Sequence, residues 1–368
     1  LDTASLYYRA FYGVPDSFKA ADGTVVNALR GVLDFLATLQ TRYQPTAAVA
    51  AWDVAWRPNW RVDLIGTYKL HRIADGTADA EDTPELLVPQ IELIAEALAL
   101  AGVPVVGAAD AEADDVIGTL VRRWDGGVDV VTGDRDLFQL VDDAKDVRVL
   151  YTARGVAKHD VVDAAWIVDR YGINPSQYVD FAVMRGDASD GLPGIAGIGD
   201  KTAAGLLNEF GDLAAIQAAT ADPTSNIKPR VRQNLLASSD YLAAATEVVT
   251  VLANLDLADP VSVEPDQTSL TAFGERWNVA GPGAIDSPGD SLDDSPAARA
   301  IAALRAQGAG LRDPVRFHFI EALARRTAAT RGTARALLEG RLARAIDDYA
   351  ARCEGVPGRA DAPGDAPA

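Results

Sequence analysis

The sequence predicts an α/β fold in which a parallel sheet with helices on both faces is followed by an all-helical region. Three observations predict it. Up to about residue 155, short apolar runs alternate with amphipathic ones, the pattern of a sheet assembled from strand–helix units. Two of those runs, 47–52 and 128–133, lead directly into Asp53 and Asp134. Both carboxylates are therefore expected at the carboxyl edge of the sheet, where open α/β folds hold ligands. From Asp160 onward the strand signal gives way to helical periodicity.

In order, strands are expected at 47–52, 103–106, 128–131 and 147–151, with helices at 84–101 and 111–124. The second region reads as helices at 160–171, 175–184, 201–210 and 230–252. This gives a core over 1–158 and a helical domain over 159–280. Residues 281–296, rich in Pro, Gly, Ser and Asp, read as a linker. An Ala/Arg-rich helical segment is expected at 297–352 and a disordered Pro/Ala/Gly/Asp tail at 353–368. No lysine follows Lys228, which marks the C-terminal segment as compositionally foreign to the rest.

A chain of 368 residues that is 48% hydrophobic has room for two domains and a tail. Its longest apolar stretch, 91–106, is broken by Glu92, Glu96 and Pro104 and falls short of the roughly 20 residues of a membrane span. No membrane partner is expected. The single Cys353 excludes an internal disulfide framework and suits a reducing cytoplasm. Leu1-Asp2-Thr3 does not resemble a secretion signal and is expected to begin mid-element.

The net charge of −19 argues at first against a polyanionic partner, but the acids are concentrated. Asp2, Asp53, Glu112, Asp114, Asp115, Asp134, Asp136, Asp187 and Asp190 fall in five short stretches. Gathered in one pocket, they would raise one another's pKa until protons or cations neutralised them. Oxygen donors without His or Cys favour two or more hard divalent ions, Mg²⁺ or Mn²⁺. The pattern points to a metal-dependent phosphoryl-transfer site. Glu112, Asp114 and Asp115 stand at a helix start, where capping needs one or two acids and not three. A basic stripe of Arg57, Arg61, Lys69, His71 and Arg72, interleaved with Trp56, Trp60 and Tyr68, suits a phosphate backbone with splayed bases; a solvated loop is the plainer alternative.

The segment from Gly194 through Gly197, Gly199, Lys201 and Thr202 is not a P-loop, because Asp200 separates the last Gly from Lys201. It fits a hairpin between two short helices, either a plain αα turn or a backbone cradle for a phosphate assisted by a monovalent cation such as K⁺.

Together these residues resemble a known family. Leu1-Asp2 with Arg9-Ala10-Phe11, Asp53 followed by Trp60-Arg61 and Tyr68-Lys69-x-x-Arg72, Glu112-Ala-Asp-Asp, Thr132-Gly-Asp-Arg-Asp, and the Gly186-to-Thr202 segment occur in the order of bacterial 5′→3′ exonucleases of the flap endonuclease family. That family includes the 5′ nuclease domain of DNA polymerase I, and the resemblance covers about residues 1–280. It implies a PIN-like nuclease core, a helix-3-turn-helix domain that grips duplex DNA, and a helical arch. By position, the nine acids would hold metal directly or through water. Lys69 and Arg72 would contact the scissile phosphate with Arg61 assisting, and Gly194, Gly197, Gly199, Lys201 and Thr202 would hold the duplex backbone.

The activity implied is two-metal hydrolysis at 5′ ends or flaps of DNA, or of RNA primers on DNA, leaving a 5′-phosphate, with a DNA polymerase and a ligase as partners. The family's apolar strand before the first Asp has no counterpart here, so Asp2 is expected at a free terminus and a central strand is expected to be missing. Two other readings compete: a catalytically inactive module that binds DNA junctions, and a PIN-type ribonuclease, which would have no need of the Gly-rich hairpin.

Overall fold

The computed structural model describes residues 1–77, 80–261 and 263–279. The expected linker at 281–296, helical segment at 297–352 and tail at 353–368 lie outside the described residues.

Asp2 starts the first helix. Its carboxylate accepts from the Ser5 amide at 3.1 Å and caps α1 (Thr3–Gly13), whose Leu6, Tyr7 and Ala10 are buried. The chain continues through α2 (Asn27–Tyr43), β1 (Ala50–Ala51), α3 (Asn59–Leu64), α4 (Val88–Leu100), β2 (Val105–Val106), α5 (Ala113–Arg123), β3 (Val128–Thr132), β4 (Val147–Tyr151) and β5 (Asp160–Val162). Among the described residues seven α-helices follow: α6 (Ala164–Tyr171), α7 (Tyr178–Arg185), α8 (Asp200–Phe210), α9 (Leu213–Ala221), α10 (Pro229–Ala237), α11 (Ser239–Val249) and α12 (Gln267–Trp277).

Strands β1 and β2 pair in parallel, as do β3 and β4, whereas β5 runs antiparallel to β4 with Val149 opposite Val162. The strands β1 to β4 are parallel pairs, as expected, and β5 adds an antiparallel edge. Leu1 and Asp2 lie between the two strand groups. The Asp2 amide donates to the Val131 carbonyl at 2.9 Å, and the Ala51 amide donates to the Leu1 carbonyl at 2.9 Å. The terminal ammonium donates to the Val49 carbonyl at 2.7 Å. Asp2 thus does not hang free as expected; backbone pairing on both sides fixes it at the carboxyl edge of the sheet. Beyond Leu1 a cavity of about 670 Å³ runs between Ala47, Ala48 and Val49 on one wall and Val128, Asp129 and Val130 on the other. The expected strand at 47–52 shortens to two residues, Ala50–Ala51, where the chain 47–49 lines this cavity.

Successive residues of the central strands face opposite cores. Val130 and Val149 join a larger cluster with α5, α7, α8 and α11, while Val131 and Leu150 join a smaller one with α1, α2 and α4. Burial on both faces accounts for the near-continuous apolar runs seen in sequence. The larger core also takes in Phe138, Ile167, Phe181 and Leu242, so the sheet and the following helices share packing within one unit, Leu1–Pro282.

Two expected helices divide. The span 160–171 opens as β5, because Val161 and Val162 extend the sheet and Asp163 then caps α6 by accepting from the Trp166 amide at 2.7 Å. The span 230–252 breaks at Ser238, so that Leu235 and Leu242 both reach the core from separate helices.

Candidate active site

At the carboxyl edge the sheet delivers Asp2, Asp53 and Asp134, α5 delivers Glu112 and Asp114, and the turn after α7 delivers Asp187 and Asp190. The Thr132 hydroxyl links two of them: it donates to Asp2 and accepts from the Asp134 amide at 2.8 Å. Asp134 in turn accepts from the Asp136 amide at 2.9 Å. Asp53 accepts from the Ala113 amide at 2.7 Å and so sits on the first turn of α5.

Electrostatics show which acids crowd one another. Burial pushes Asp2, Asp114, Asp134 and Asp136 above the ordinary carboxylate range. Repulsion from Asp134 and Asp2 adds to the shift at Asp114, and repulsion from Asp134, Asp190 and Asp187 adds to that at Asp136. Asp53 is raised to about 6, chiefly by burial, with Lys69 opposing. Asp134 lies at the centre: it feels Asp2 and Asp114 on one side and Asp190 and Asp187 on the other. One Asp136 oxygen is buried with no hydrogen-bond partner.

Cations fold over this row. Lys69, 8% exposed, donates to Glu112, and the Tyr68 hydroxyl donates to the same carboxylate at 2.7 Å. Burial alone would lower the Lys69 pKa, but attraction to Glu112, with Asp190 and Asp53 behind it, holds it well above the ordinary lysine value. Arg72 pairs with Asp190 at 2.9 Å, and Arg135 pairs with Asp187 at 3.1 Å with Arg185 at 3.5 Å. Close backbone approach makes this possible. Lys69 adopts φ +47 and its amide donates to the Asp190 carbonyl at 2.9 Å. A Cβ on Gly191, at φ +72, would stand 2.1 Å from the Thr67 carbonyl, so only glycine lets the two segments meet.

Arg61 and Asp115 are engaged with each other: Arg61, 2% exposed, grips fully buried Asp115 through two hydrogen bonds of 2.7 and 2.8 Å, donates to the Val248 carbonyl at 3.0 Å and touches the row at Glu112, 3.5 Å away. Asp115 also accepts from the amides of Glu112 at 3.1 Å and Leu252 at 2.9 Å. With four donors on its two oxygens, Asp115 joins α3, α5 and the segment after α11, and Arg61 reaches the row only at Glu112. The basic stripe does not form one open face either. Arg57 donates to the Tyr68 carbonyl at 2.6 Å and to the Gly66 carbonyl at 3.2 Å, and Lys69 and Arg72 turn inward, because the unpaired acids are the strongest available partners.

On the other side of Asp187 the Gly-rich segment forms a tight hairpin into α8. Ile195 and Ile198 are buried anchors, the Asn234 side chain donates to the Ala196 carbonyl at 2.6 Å, and Gly194 and Gly197 hold positive φ. Gly197, Gly199 and Lys201 are exposed, Thr202 is half-buried, and Gly199 caps α8 with its backbone only.

Residues 1–172 match a family model described as "5'-3' exonuclease, N-terminal resolvase-like domain", and residues 173–273 one described as "5'-3' exonuclease, C-terminal SAM fold". The chain belongs to the 5′-3′ exonuclease family. It is 51% identical over 288 residues to a 5′-3′ exonuclease of Streptomyces coelicolor, covering 76% of this chain and 96% of that one. It is 43% identical over 300 residues to a 5′-3′ exonuclease of Mycobacterium tuberculosis, covering 76% and 94%. DNA polymerase I of the same organism is 36% identical over 272 residues, 72% of this chain but only 28% of the polymerase. Among solved structures, T5 5′-exonuclease with bound zinc superposes with a TM-score of 0.55 at 20% identity, covering 67% of this chain and 87% of that one. The T5 flap endonuclease in a product complex with DNA and metal ions gives 0.50 at 18%, covering 67% and 86%. Both share the fold. Residues 301–368 match a family described as "Protein of unknown function (DUF2894)".

This member of the exonuclease family carries site residues that sequence reading passed over. Arg135 and Arg185 hold Asp187, Thr132 joins Asp2 to Asp134, and the Tyr68 hydroxyl shares Glu112 with Lys69. Arg135 was visible as a cation between two acids of one motif. Arg185 gave no signal, since it acts across a turn whose geometry the sequence does not disclose. As they stand, no three Asp, Glu, His or Cys side chains among the described residues are set around one ion. The donor set nonetheless fits hard divalent ions: it is all oxygen, it is crowded with acids held above their ordinary pKa, and it includes the unpartnered Asp136 oxygen.

Proposed function

We propose that the chain is a structure-specific 5′ nuclease, hydrolysing phosphodiester bonds at 5′ ends or flaps of duplex DNA in a divalent-metal-dependent reaction. The observation that carries this is the row of buried, mutually repelling carboxylates at the sheet edge in a chain of the 5′-3′ exonuclease family. The acids of the row outnumber the cations paired with them, Lys69, Arg72, Arg135 and Arg185, and the surplus of carboxylates suits divalent ions. The T5 relatives of the same fold carry metal ions and DNA, which supports the same ligands here.

In this reading Asp2, Asp53, Glu112, Asp114 and Asp134 hold one ion, and Asp134, Asp136, Asp187 and Asp190 hold a second. Mg²⁺ or Mn²⁺, when bound, supplies the Lewis acidity for attack of water on phosphorus and for departure of the 3′ oxygen. The residues of the chain do the rest. Lys69 and Arg72, which rest on Glu112 and Asp190, would turn to the phosphoryl oxygens and offset the charge that develops there. Water adds to phosphorus, the 3′ oxygen leaves with a proton, and the downstream strand keeps a 5′-phosphate. The exposed Gly197 and Gly199, beside half-buried Gly194 and with Lys201 and Thr202 at the start of α8, would hold a phosphate of the duplex, assisted by K⁺. RNA primers on DNA are substrates of the same chemistry, a DNA polymerase and a ligase are the natural partners of a flap-removing enzyme, and the cytoplasm is where these substrates arise. No helix among the described residues is long and apolar enough to cross a membrane.

The test is cleavage of a 5′-labelled flap substrate with Mg²⁺ or Mn²⁺ against EDTA. Metal-dependent cutting near the junction is expected, falling by about a hundredfold or more in Lys69→Ala and Asp134→Asn. Near-wild-type single-turnover rates in both variants would sink the assignment.

A further inference from the structure

The exit of α11 is held more firmly than a plain helix end requires. Core side chains meet its backbone from Val248 to Leu252: Arg61 donates to the Val248 carbonyl at 3.0 Å, the Gln139 side chain donates to the Val249 carbonyl at 3.0 Å and accepts from the Val251 amide at 3.1 Å, and Asp115 accepts from the Leu252 amide at 2.9 Å. Helix α5 comes close at Gly118, where a Cβ would stand 2.7 Å from the Leu252 carbonyl and 2.8 Å from a Val251 methyl. Nearer its start α11 is anchored too, since the Tyr241 hydroxyl accepts from the Gly194 amide at 3.0 Å and donates to the Val183 carbonyl at 3.3 Å. The exit is a fixed abutment.

Two of the side chains that grip it also hold a residue of the carboxylate row. Asp115 accepts from the Glu112 amide at 3.1 Å, and Gln139 donates to the Asp136 carbonyl at 2.8 Å. The one Gln139 amide thus serves three backbone groups, with its nitrogen on Asp136 and Val249 and its oxygen on Val251. Asp136 needs such a support. Its charge faces Asp134, Asp190 and Asp187, one of its oxygens is buried without a hydrogen-bond partner, and its amide leans on Asp134, itself one of the repelling acids. Like charges drive these carboxylates apart when no ion lies between them. Gln139 ties the Asp136 backbone to something outside the row.

We propose that Gln139 is a positioning residue of the metal site, bracing the backbone of Asp136 against the exit of α11 so that this carboxylate keeps its place beside Asp134 before an ion arrives. This rests on the 5′ nuclease reading, in which Asp136 holds a divalent ion. A group that fixes a metal ligand from behind lowers the cost of ordering it on binding, and its loss weakens metal affinity by about 10- to 100-fold.

The test is Mn²⁺ binding to the DNA-free chain, read from the paramagnetic resonance of free Mn²⁺, beside thermal melts in EDTA. Gln139→Met keeps the length of the side chain and removes its three hydrogen bonds. Thr119→Val is the control, because the Thr119 hydroxyl bonds the same stretch of chain, donating to the Leu252 carbonyl at 3.4 Å and accepting from the Leu255 amide at 3.2 Å, and neither bond reaches the row. Both variants are expected to melt a few degrees below wild type. Only Gln139→Met weakens the binding of an ion, by about tenfold, while Thr119→Val stays within about twofold of wild type. The Mn²⁺ concentration that half-saturates single-turnover cleavage shifts by the same factor in Gln139→Met, and the rate at saturating Mn²⁺ stays near wild type. Gln139→Asn, one methylene too short to span Asp136 and Val249, weakens binding likewise and carries the test if Gln139→Met folds poorly. Unchanged Mn²⁺ affinity on loss of Gln139, or an equal loss in Thr119→Val, would overturn the positioning role while leaving the nuclease reading in place. A wild-type chain that binds no Mn²⁺ would overturn the metal site itself and the part of Gln139 with it.

Discussion

Asp115 and Asp136 are two acids of the same motif-rich edge, 0% and 8% exposed, and they meet opposite fates. Asp115 is surrounded by donors: the two nitrogens of Arg61 and the amides of Glu112 and Leu252. Asp136 is surrounded by acids, and one of its oxygens has no partner. Burial of a carboxylate is thus no guide to its task; what faces it is. A buried charge with every lone pair satisfied holds elements together, whereas one left facing like charges costs stability and is retained for chemistry.

The sharpest way to break this comparison is to exchange the two losses. Arg61→Ala strands Asp115 in the core and is expected to cost roughly 3–5 kcal/mol of stability, read from the denaturant midpoint. Asp136→Asn removes a repelled charge and is expected to leave the midpoint unchanged or raised, while single-turnover cleavage falls by about a hundredfold or more. If Arg61→Ala folds as well as wild type, or if Asp136→Asn both destabilises and still cuts, the division between structural and chemical acids fails.

The same contrast shows how far the sequence could be read. Asp53 and Asp134 were legible because apolar runs end on them, and periodicity 3.6 placed Glu112 and Asp114 at the head of a helix. The partner of Asp115 was not legible for the same reason: spacing fixes the face of a helix but not what lies across it, and Arg61 is distant in sequence. Helices α1 and α2 escaped notice, although Asp2 caps the first and both pack in the smaller core. The inward turn of Lys69 and Arg72 depends on the close approach of Thr67 to Gly191, which no local pattern announces.

A smaller effect sharpens the comparison through pH. Asp53 is raised from its ordinary 3.8 to about 6, and Asp2, Asp114, Asp134, Asp136 and Glu112 are raised as well. A carboxyl with a folded pKa above its unfolded value binds more protons when folded. Its contribution to stability is therefore complete below the unfolded value and is lost as pH rises through the folded one. In EDTA the protein is expected to be more stable near pH 5 than near pH 7, with Asp53 alone accounting for on the order of 1 kcal/mol of the difference. Saturating Mn²⁺ should flatten or reverse this slope, because ions bind the deprotonated acids. Thermal melts at fixed ionic strength across pH 5–7.5 decide it, and a metal-free stability that rises over this range would refute the account.

The smallest expected effect lies where a cation has no acid to answer. Lys201 stands exposed on the first turn of α8 and forms no ion pair among the described residues, unlike Lys69, which is buried on Glu112. The two lysines should therefore separate binding from catalysis. Lys201→Ala is expected to weaken duplex binding in EDTA by a few-fold at any sequence and to lower the slope of log affinity against log salt by about 1, as one phosphate contact is lost. Its single-turnover rate at saturating enzyme should stay close to wild type, since no group near the carboxylate row has changed. A Lys201→Ala chain with an unchanged salt slope would mean that Lys201 does not contact the duplex backbone, and the hairpin would lose its part in the proposed binding.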